Sequence, residues 1–326
     1  MDIEALEFRS QTITKIRHFF DSKKYLELDT PALSPTLIPE TCLEVFKTTY
    51  IPPANSVQNK EHDLYLVPSP EIYIKKIIAE HKRDVYQVSK CYRNTESTGR
   101  IHSPEFTMLE YYSMNKNYMD SLTITENLFD ALLPPKPTNS SIDPFEKLRP
   151  PFIRLTMDNA FEQFAGFKLS DCKTASDLAP HVVRLGLYDE KDLANWQMDE
   201  LYELILVNNV EPNLNLEKPV FLLDYPSFVP CLAKDKSPMW KERWELYANG
   251  IELANCYSEE TDAQCIKEYF KDEGDLKNKN ARIPHQIDEN YWMNFKKFPE
   301  CSGVAMGVDR LIAILGGYGS LEPILY

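Results

Sequence analysis

Asn249-Gly250 separates two alternating runs in RWELYANGIELANCYSE, Arg243 to Glu259, and no other element leaves the backbone so little choice. Asn-Gly between alternating segments favours a type I′ turn, because both central residues must take positive φ. With a two-residue loop the register follows: Ala248 opposite Ile251, Tyr247 opposite Glu252, Leu246 opposite Leu253, Glu245 opposite Ala254. Paired residues share a face, so Glu245, Tyr247, Glu252 and Ala254 are expected on one side, with Leu246, Ile251 and Leu253 as core on the other. The two glutamates then lie on a diagonal, roughly 7 to 8 Å apart at Cα, and repel unless something neutralises them. Oxygen ligands in this number suit Mg²⁺ bridging to substrate phosphates. A solvated hairpin face is the plain alternative; the apolar opposite side weighs against it.

The run YRNTESTGRIHSPEFTMLEYY, Tyr92 to Tyr112, carries a second constellation. Two strand-like segments flank a loop with Arg100 and His102, and Arg93 stands at its base, an arrangement suited to an anion. From Glu105 onward the pattern alternates, placing Phe106, Met108, Glu110 and Tyr112 on one strand face. A carboxylate among aromatics on a sheet face suggests a bound amine. The third constellation is CSGVAMGVDRLIAIL, Cys301 to Leu315, where small residues run into a helix expected from about Asp309 and burying Leu311, Ile314 and Leu315. Arg310 would sit in its first turn, where its charge opposes the helix dipole. An anion there removes that penalty, and Gly307 permits close approach. Neither G-x-x-x-x-G-K-[ST] nor G-x-G-x-x-G occurs, so a nucleotide would not rest on a P-loop or a Rossmann turn.

Composition narrows the class. The chain has 326 residues, 43% hydrophobic and 12% aromatic, as a globular rather than a disordered protein would. Seven cysteines without a C-x-x-C pair argue against a disulfide framework or a zinc site and suit a reducing cytoplasm. The N-terminus has no apolar signal region, and no run approaches the length of about 18 apolar residues that spans a bilayer. A net charge of -14 disfavours broad nucleic-acid binding.

Along the chain, a helix is expected from about Glu4 to Ser22, with Leu6, Ile13, Ile16 and Phe20 on one stripe, then a short strand from Tyr25 to Leu28. DLYLV reads as a strand, and Ser69 should cap a helix beginning with Pro70 and Glu71 and buried through Ile74, Ile77 and Ile78. Asp84 to Tyr92 is the next strand. Six prolines in the nineteen residues from Leu133 to Pro151 mark a connection. Thr156 to Asn209 is helical in pattern and lacks clustered chemistry.

These segments resemble a known family. Tyr25 to Pro31 resembles motif 1, Tyr92 to Phe106 motif 2 and Gly303 to Arg310 motif 3 of class II aminoacyl-tRNA synthetases. SPE at Ser69 to Glu71, PEFTMLEYY, and the series Glu245, Glu252, Glu259 are similar to the lysyl-tRNA synthetase catalytic core. The resemblance covers nearly the whole chain. It implies an α+β class, an antiparallel β-sheet flanked by helices, in a single catalytic domain over 1–326 with a mostly helical insertion at about 135–235. No OB-fold for anticodon reading is expected before residue 1. That truncation, with Ala305 where the synthetases usually carry glycine, resembles the elongation factor P lysine ligases, synthetase paralogues that attach (R)-β-lysine to a lysine of the factor.

The resemblance implies roles residue by residue. Arg93 and Arg310 would be catalytic, holding the α- and γ-phosphates of ATP, and Phe106 would stack on adenine. Asn94, Thr95, Glu96, Arg100, His102 and Ser103 would complete the ATP site together with Glu252, Leu253 and Gly307. Glu245 and Glu252 would hold Mg²⁺. Ser69, Pro70, Glu71, Glu110 and Tyr112, with Asn255, Glu259 and Ala305, would surround lysine or (R)-β-lysine and its two ammonium groups. Lysine carboxylate would attack the α-phosphate, giving an aminoacyl-adenylate, and elongation factor P would accept the acyl group. Motif 1 implies a homodimer. A minimal lysyl-tRNA synthetase and a non-enzymatic synthetase-like regulator are the alternatives, with tRNA not the expected acceptor. The chain departs from the family at Thr95, where an acid is usual and Glu96 follows one place later, at Ser103, where asparagine is usual, and at Cys256, where glycine is usual.

Overall fold

A computed structural model describes residues 2–54, 60–95, 99–137 and 143–325. Two compact units emerge, one from Met1–Lys116 with Glu259–Tyr326 and one from Asn117–Ser258.

The first unit opens with α1, Ile3–Ser22, whose first N–H groups are accepted by the Asp2 side chain and which buries Ala5, Ile16, Phe19 and Phe20. The expected stripe is shifted: Leu6 and Ile13 are half-buried while Ala5 and Phe19 take the core. β1 is only Leu26–Glu27 and runs parallel to β5. Strands β2 (Leu33–Ser34), β3 (Phe46–Tyr50) and β4 (His62–Leu66) form a small antiparallel sheet in the order β2-β4-β3. α2 spans Glu71–His81 with Pro70 at the cap position, one residue later than expected; the Ser69 hydroxyl still accepts the Glu71 N–H at 3.0 Å. Ile74 and Ile78 are buried, but Ile77 is half-buried and the buried place beside them belongs to Lys75. β5 (Val85–Tyr92) and β6 (Glu105–Met114) pair antiparallel.

In the second unit, α3 (Tyr118–Leu132) starts from a reciprocal Asn117–Asp120 capping box. β7 (Ile153–Thr156) leads into α4 (Met157–Ala165), α5 (Ala175–Arg184) and α6 (Met198–Ile205), the helices expected in this region. Phe161, Leu178 and Tyr202 lock them together, the Phe161 and Tyr202 rings stacking at 5.6 Å. β8 (Val220–Pro226), β9 (Trp240–Ala248) and β10 (Ile251–Ser258) complete a sheet ordered β7-β8-β9-β10, antiparallel except for the β7–β8 pair. The β9–β10 turn takes the expected form, with Asn249 at φ 53° and Gly250 at φ 71°.

The chain then returns to the first unit with α7 (Ala263–Asn280), β11 (Cys301–Gly307), α8 (Val308–Gly316) and the short α9 (Glu322–Leu325). β11 pairs antiparallel with β6, so the sheet of this unit runs β1-β5-β6-β11. Each unit is thus a mainly antiparallel sheet with helices against it, the α+β class expected. Asp309 fixes the start of α8: one carboxylate oxygen pairs with Arg9 of α1 at 2.5 Å, and the other accepts the Thr107 N–H of β6 at 2.7 Å.

Candidate active site

On the sheet of the first unit, register decides which side chains meet. Glu110 lies opposite Gln87 on one side and Ala305 on the other; Tyr112 is opposite Gly303 and Met108 opposite Gly307. The alternation expected for Phe106, Met108, Glu110 and Tyr112 is therefore present, and β11 meets it with glycine, alanine and glycine. Small residues beside large ones leave room above the sheet, and carboxylates fill its margin.

Glu110, 2% exposed, receives a hydrogen bond from the Ser69 hydroxyl and another from the Tyr112 hydroxyl at 3.2 Å. Ser69 thus joins the start of α2 to the sheet: it accepts from Glu71 and donates to Glu110. Burial, reinforced by the nearby Glu71, pushes the Glu110 carboxyl up to about 8. Glu259, also 2% exposed, is pushed up to about 7 by burial although Lys75 pulls it down. Lys75 is fully buried and its ammonium pairs with Glu71 one turn earlier and with Glu259 at 2.7 Å. Burial opposes that charge, but Glu259 and Glu71 overcome it and raise the lysine well above its ordinary value. Lys75 escaped the sequence reading, although its i,i+4 spacing from Glu71 is a legible ion-pair signal.

Gly303 explains how the cluster fits. A Cβ built there would collide with the Glu259 Oε1 and the edge of the Tyr112 ring. Gly303→Ala is therefore expected to cost about 1–3 kcal/mol of stability by forcing the Tyr112 ring or the Glu259 carboxylate aside, which thermal unfolding of the variant checks.

The anion-binding candidates lie in the same unit. Arg93 follows β5, its guanidinium 5.2 Å from the Phe106 ring centroid, and its Nε is buried without a hydrogen-bond partner among the described residues. A donor so placed suits a phosphate oxygen. Arg310 occupies the first turn of α8, as expected, with its Nε directed to the Ile101 carbonyl at 3.3 Å. Arg100 is turned toward the C-terminal segment, donating to the Gly319 carbonyl at 3.0 and 2.8 Å. With His102 and Ser103 it lines an open cavity of about 730 Å³ that Gly319 to Glu322 also line. Asn94 is held by Glu44 and Val45 backbone carbonyls, and Thr95 is exposed at φ 54°. Glu96 lies outside the described residues.

The second unit holds the hairpin glutamates, and here the expected register needs correction. Ala248–Ile251 and Tyr247–Glu252 pair as derived, but Leu253 is an extra residue: Leu246 faces Ala254 and Glu245 faces Asn255. A bulge of this kind inserts one residue and exchanges the faces beyond it. Glu245 and Glu252 stay on one face; Asn255 joins them, Ala254 moves to the other side with Leu246, and Tyr257 comes opposite Arg243. Leu246 and Leu253 are core, whereas Ile251 is half-buried. The half-buried Arg243 pairs with Glu245 Oε1 at 2.5 Å and stacks over Tyr225 at 4.2 Å. The Tyr247 hydroxyl lies 2.8 Å from Glu245 Oε2 and 2.9 Å from Glu211. With one proton it donates to one of them at a time, and burial raises the Glu211 pKa. Among the described residues no group of three or more histidine, cysteine or acidic side chains gathers around a point. Two hard carboxylates on one face nevertheless fit Mg²⁺, which usually completes its shell with water and phosphate.

A profile of class II tRNA synthetases (D, K and N) matches residues 3–326. Three relatives named elongation factor P–(R)-β-lysine ligase are similar along almost their whole length. The Proteus mirabilis protein is 31% identical over 97% of this chain and 92% of its own. The Vibrio atlanticus protein is 30% identical over 99% and 94%. The Salmonella gallinarum protein is 33% identical over 97% and 92%.

Proposed function

This chain belongs to the class II tRNA synthetases (D, K and N), and on that premise we propose that it activates (R)-β-lysine, or lysine, with ATP and transfers the acyl group to a lysine side chain of elongation factor P. The observation that carries the reading is the trio of the buried Glu110 and Glu259 and the half-buried Glu71 beside the Gly303–Ala305–Gly307 strip. A diamine fits such a pocket; an uncharged side chain would leave carboxylates buried without a partner.

The substrate carboxylate oxygen attacks the α-phosphorus; the bond to the bridging oxygen breaks and pyrophosphate departs. Arg93 would neutralise charge developing on the α-phosphate, Arg310 would bind the γ-phosphate, and Phe106 would stack on adenine. Glu71, Glu110 and Glu259 would hold the two ammonium groups, with Ser69 and Tyr112 orienting Glu110. The acceptor amine then attacks the acyl carbon, AMP leaves, and the amine loses a proton to solvent. Glu245 and Glu252 would hold Mg²⁺, which when bound supplies charge neutralisation for the phosphates. The methyl of Ala305, directly opposite Glu110, would shape the pocket for a shifted amino group. We place the enzyme in the cytoplasm, where ATP is available and its free thiols stay reduced, and expect a homodimer through the short β1 edge, where Leu26 is exposed.

The raised acids set a pH dependence. Ammonium binding needs ionised carboxylates, so kcat/KM for the diamino acid should fall as pH drops through about 8 and then about 7, the values of Glu110 and Glu259, by up to about tenfold per unit and group. Without substrate the sign for stability is opposite. Both groups are raised from 4.5, so the stability they confer is complete below that value and is lost as pH rises through about 7 and 8. Thermal unfolding of the protein with and without lysine across pH 5 to 9 checks both limbs.

The acceptor is tested by incubating the protein with ATP, (R)-β-lysine and elongation factor P and measuring the intact mass of the factor. One added β-lysyl group is expected. An unmodified factor together with aminoacylated tRNA would replace this reading with that of a minimal tRNA synthetase.

A further inference from the structure

Lys75 presents a positive charge inside a pocket built to attract one. Its ammonium, fully buried, cannot hydrogen-bond a substrate ammonium, since both are donors. It acts on Glu71 and Glu259 instead. The Glu259 Oε2 is held by Lys75 at 2.7 Å, which leaves Oε1 over Gly303, on the small-residue strip of β11. Glu71 is bound by the same ammonium from one turn earlier in α2. Lys75 therefore aims two carboxylates at once.

It also fixes how much charge the pocket demands. Glu71, Glu110 and Glu259 carry three formal negative charges when ionised, and Lys75 returns one, leaving two. A diamino acid brings two ammonium groups, while its own carboxylate belongs at the reacting phosphorus. The other groups facing the cluster are Tyr112 and Cys91 on the sheet, Tyr291 from the turn before β11, Cys301 beside Glu259, and Glu40 with Arg93 at the margin. The Tyr291 hydroxyl is buried without a hydrogen-bond partner among the described residues.

We propose that Lys75 is a positioning residue that sets the pocket to a net demand of two positive charges, and so selects a diammonium amino acid. The inference rests on reading this cluster as the diamine site.

Lysine-dependent and (R)-β-lysine-dependent ATP–pyrophosphate exchange across pH 6 to 9 tests it. In Lys75→Met three carboxylates face two cations, so the acid limb of kcat/KM for the diamino acid should move up by about one pH unit, with KM for ATP unchanged. Lys75→Arg, which keeps the charge, should retain the wild-type limb. The double variant Lys75→Met with Glu71→Gln removes one charge of each sign, and its limb should return toward the wild-type position even with weakened substrate binding. That pair of variants also keeps the test open should Lys75→Met alone fail to fold. A wild-type limb in Lys75→Met, or a double variant displaced as far as the single one, would overturn the role of Lys75 while leaving the diamine reading in place. Absence of exchange in the wild-type protein with both substrates would overturn that reading itself.

Discussion

Arg310→Ala is expected to lower ATP–pyrophosphate exchange by a factor on the order of 10² to 10³ while the thermal midpoint stays close to that of the unaltered protein. The reason lies in how α8 is built. Its start is fixed by Asp309, bound to Arg9 and to the Thr107 N–H, and its length is buried through Leu311, Ile312 and Leu315. None of that depends on the Arg310 guanidinium, whose positive charge in the first helical turn is locally unfavourable. Its Nε is directed to the Ile101 carbonyl at 3.3 Å. An arginine held against a helix dipole in a half-buried position suits an anion better than it suits the fold. Unchanged exchange in Arg310→Ala would remove this residue from the site; a large loss of stability would make it structural.

Glu110→Gln is expected to separate binding from folding in the opposite direction. Glutamine keeps the volume and can still accept from Ser69 or Tyr112 through its carbonyl. It loses the charge that meets an ammonium, a change of about 3 kcal/mol for a buried charged pair, or roughly two orders of magnitude in KM for the diamino acid. Since the carboxyl in the folded protein is already pushed up to about 8 by burial and by Glu71, the neutral amide should make the unliganded protein more stable above pH 8. Higher stability with much weaker amino-acid binding is the expected pair of results from thermal unfolding and steady-state kinetics. A fall in stability with KM unchanged would mean that Glu110 is a core residue satisfied by its hydroxyl partners.

Much of this was legible in the chain. The Asn249-Gly250 turn, the alternation of β6 and the placing of Arg310 in the first turn of a helix rest on local rules, and the structure follows them. What was not legible depends on residues far apart in sequence. The bulge at Leu253 exchanges faces in mid-strand; an alternating pattern that fits both faces gives no sign of it, yet it carries Asn255 to the side of Glu245. Lys75 pairs with Glu71 within α2, but its second carboxylate, Glu259, lies far along the chain and could not be read from the helix. Gly303 reads as an ordinary small residue in a strand until Tyr112 and Glu259 close over it. Ser69 reads as a helix cap, and its second bond, to Glu110, depends on where α2 meets the sheet.

The central claim is that the carboxylates around Lys75 receive a diamino acid whose carboxylate is activated by ATP. The most direct test is isotope exchange between pyrophosphate and ATP in the presence of (R)-β-lysine or lysine, with arginine and norleucine as controls. Exchange with one or both diamino acids, and none with norleucine or arginine, is the result predicted; no exchange with either diamino acid, or equal exchange with norleucine, would contradict the account.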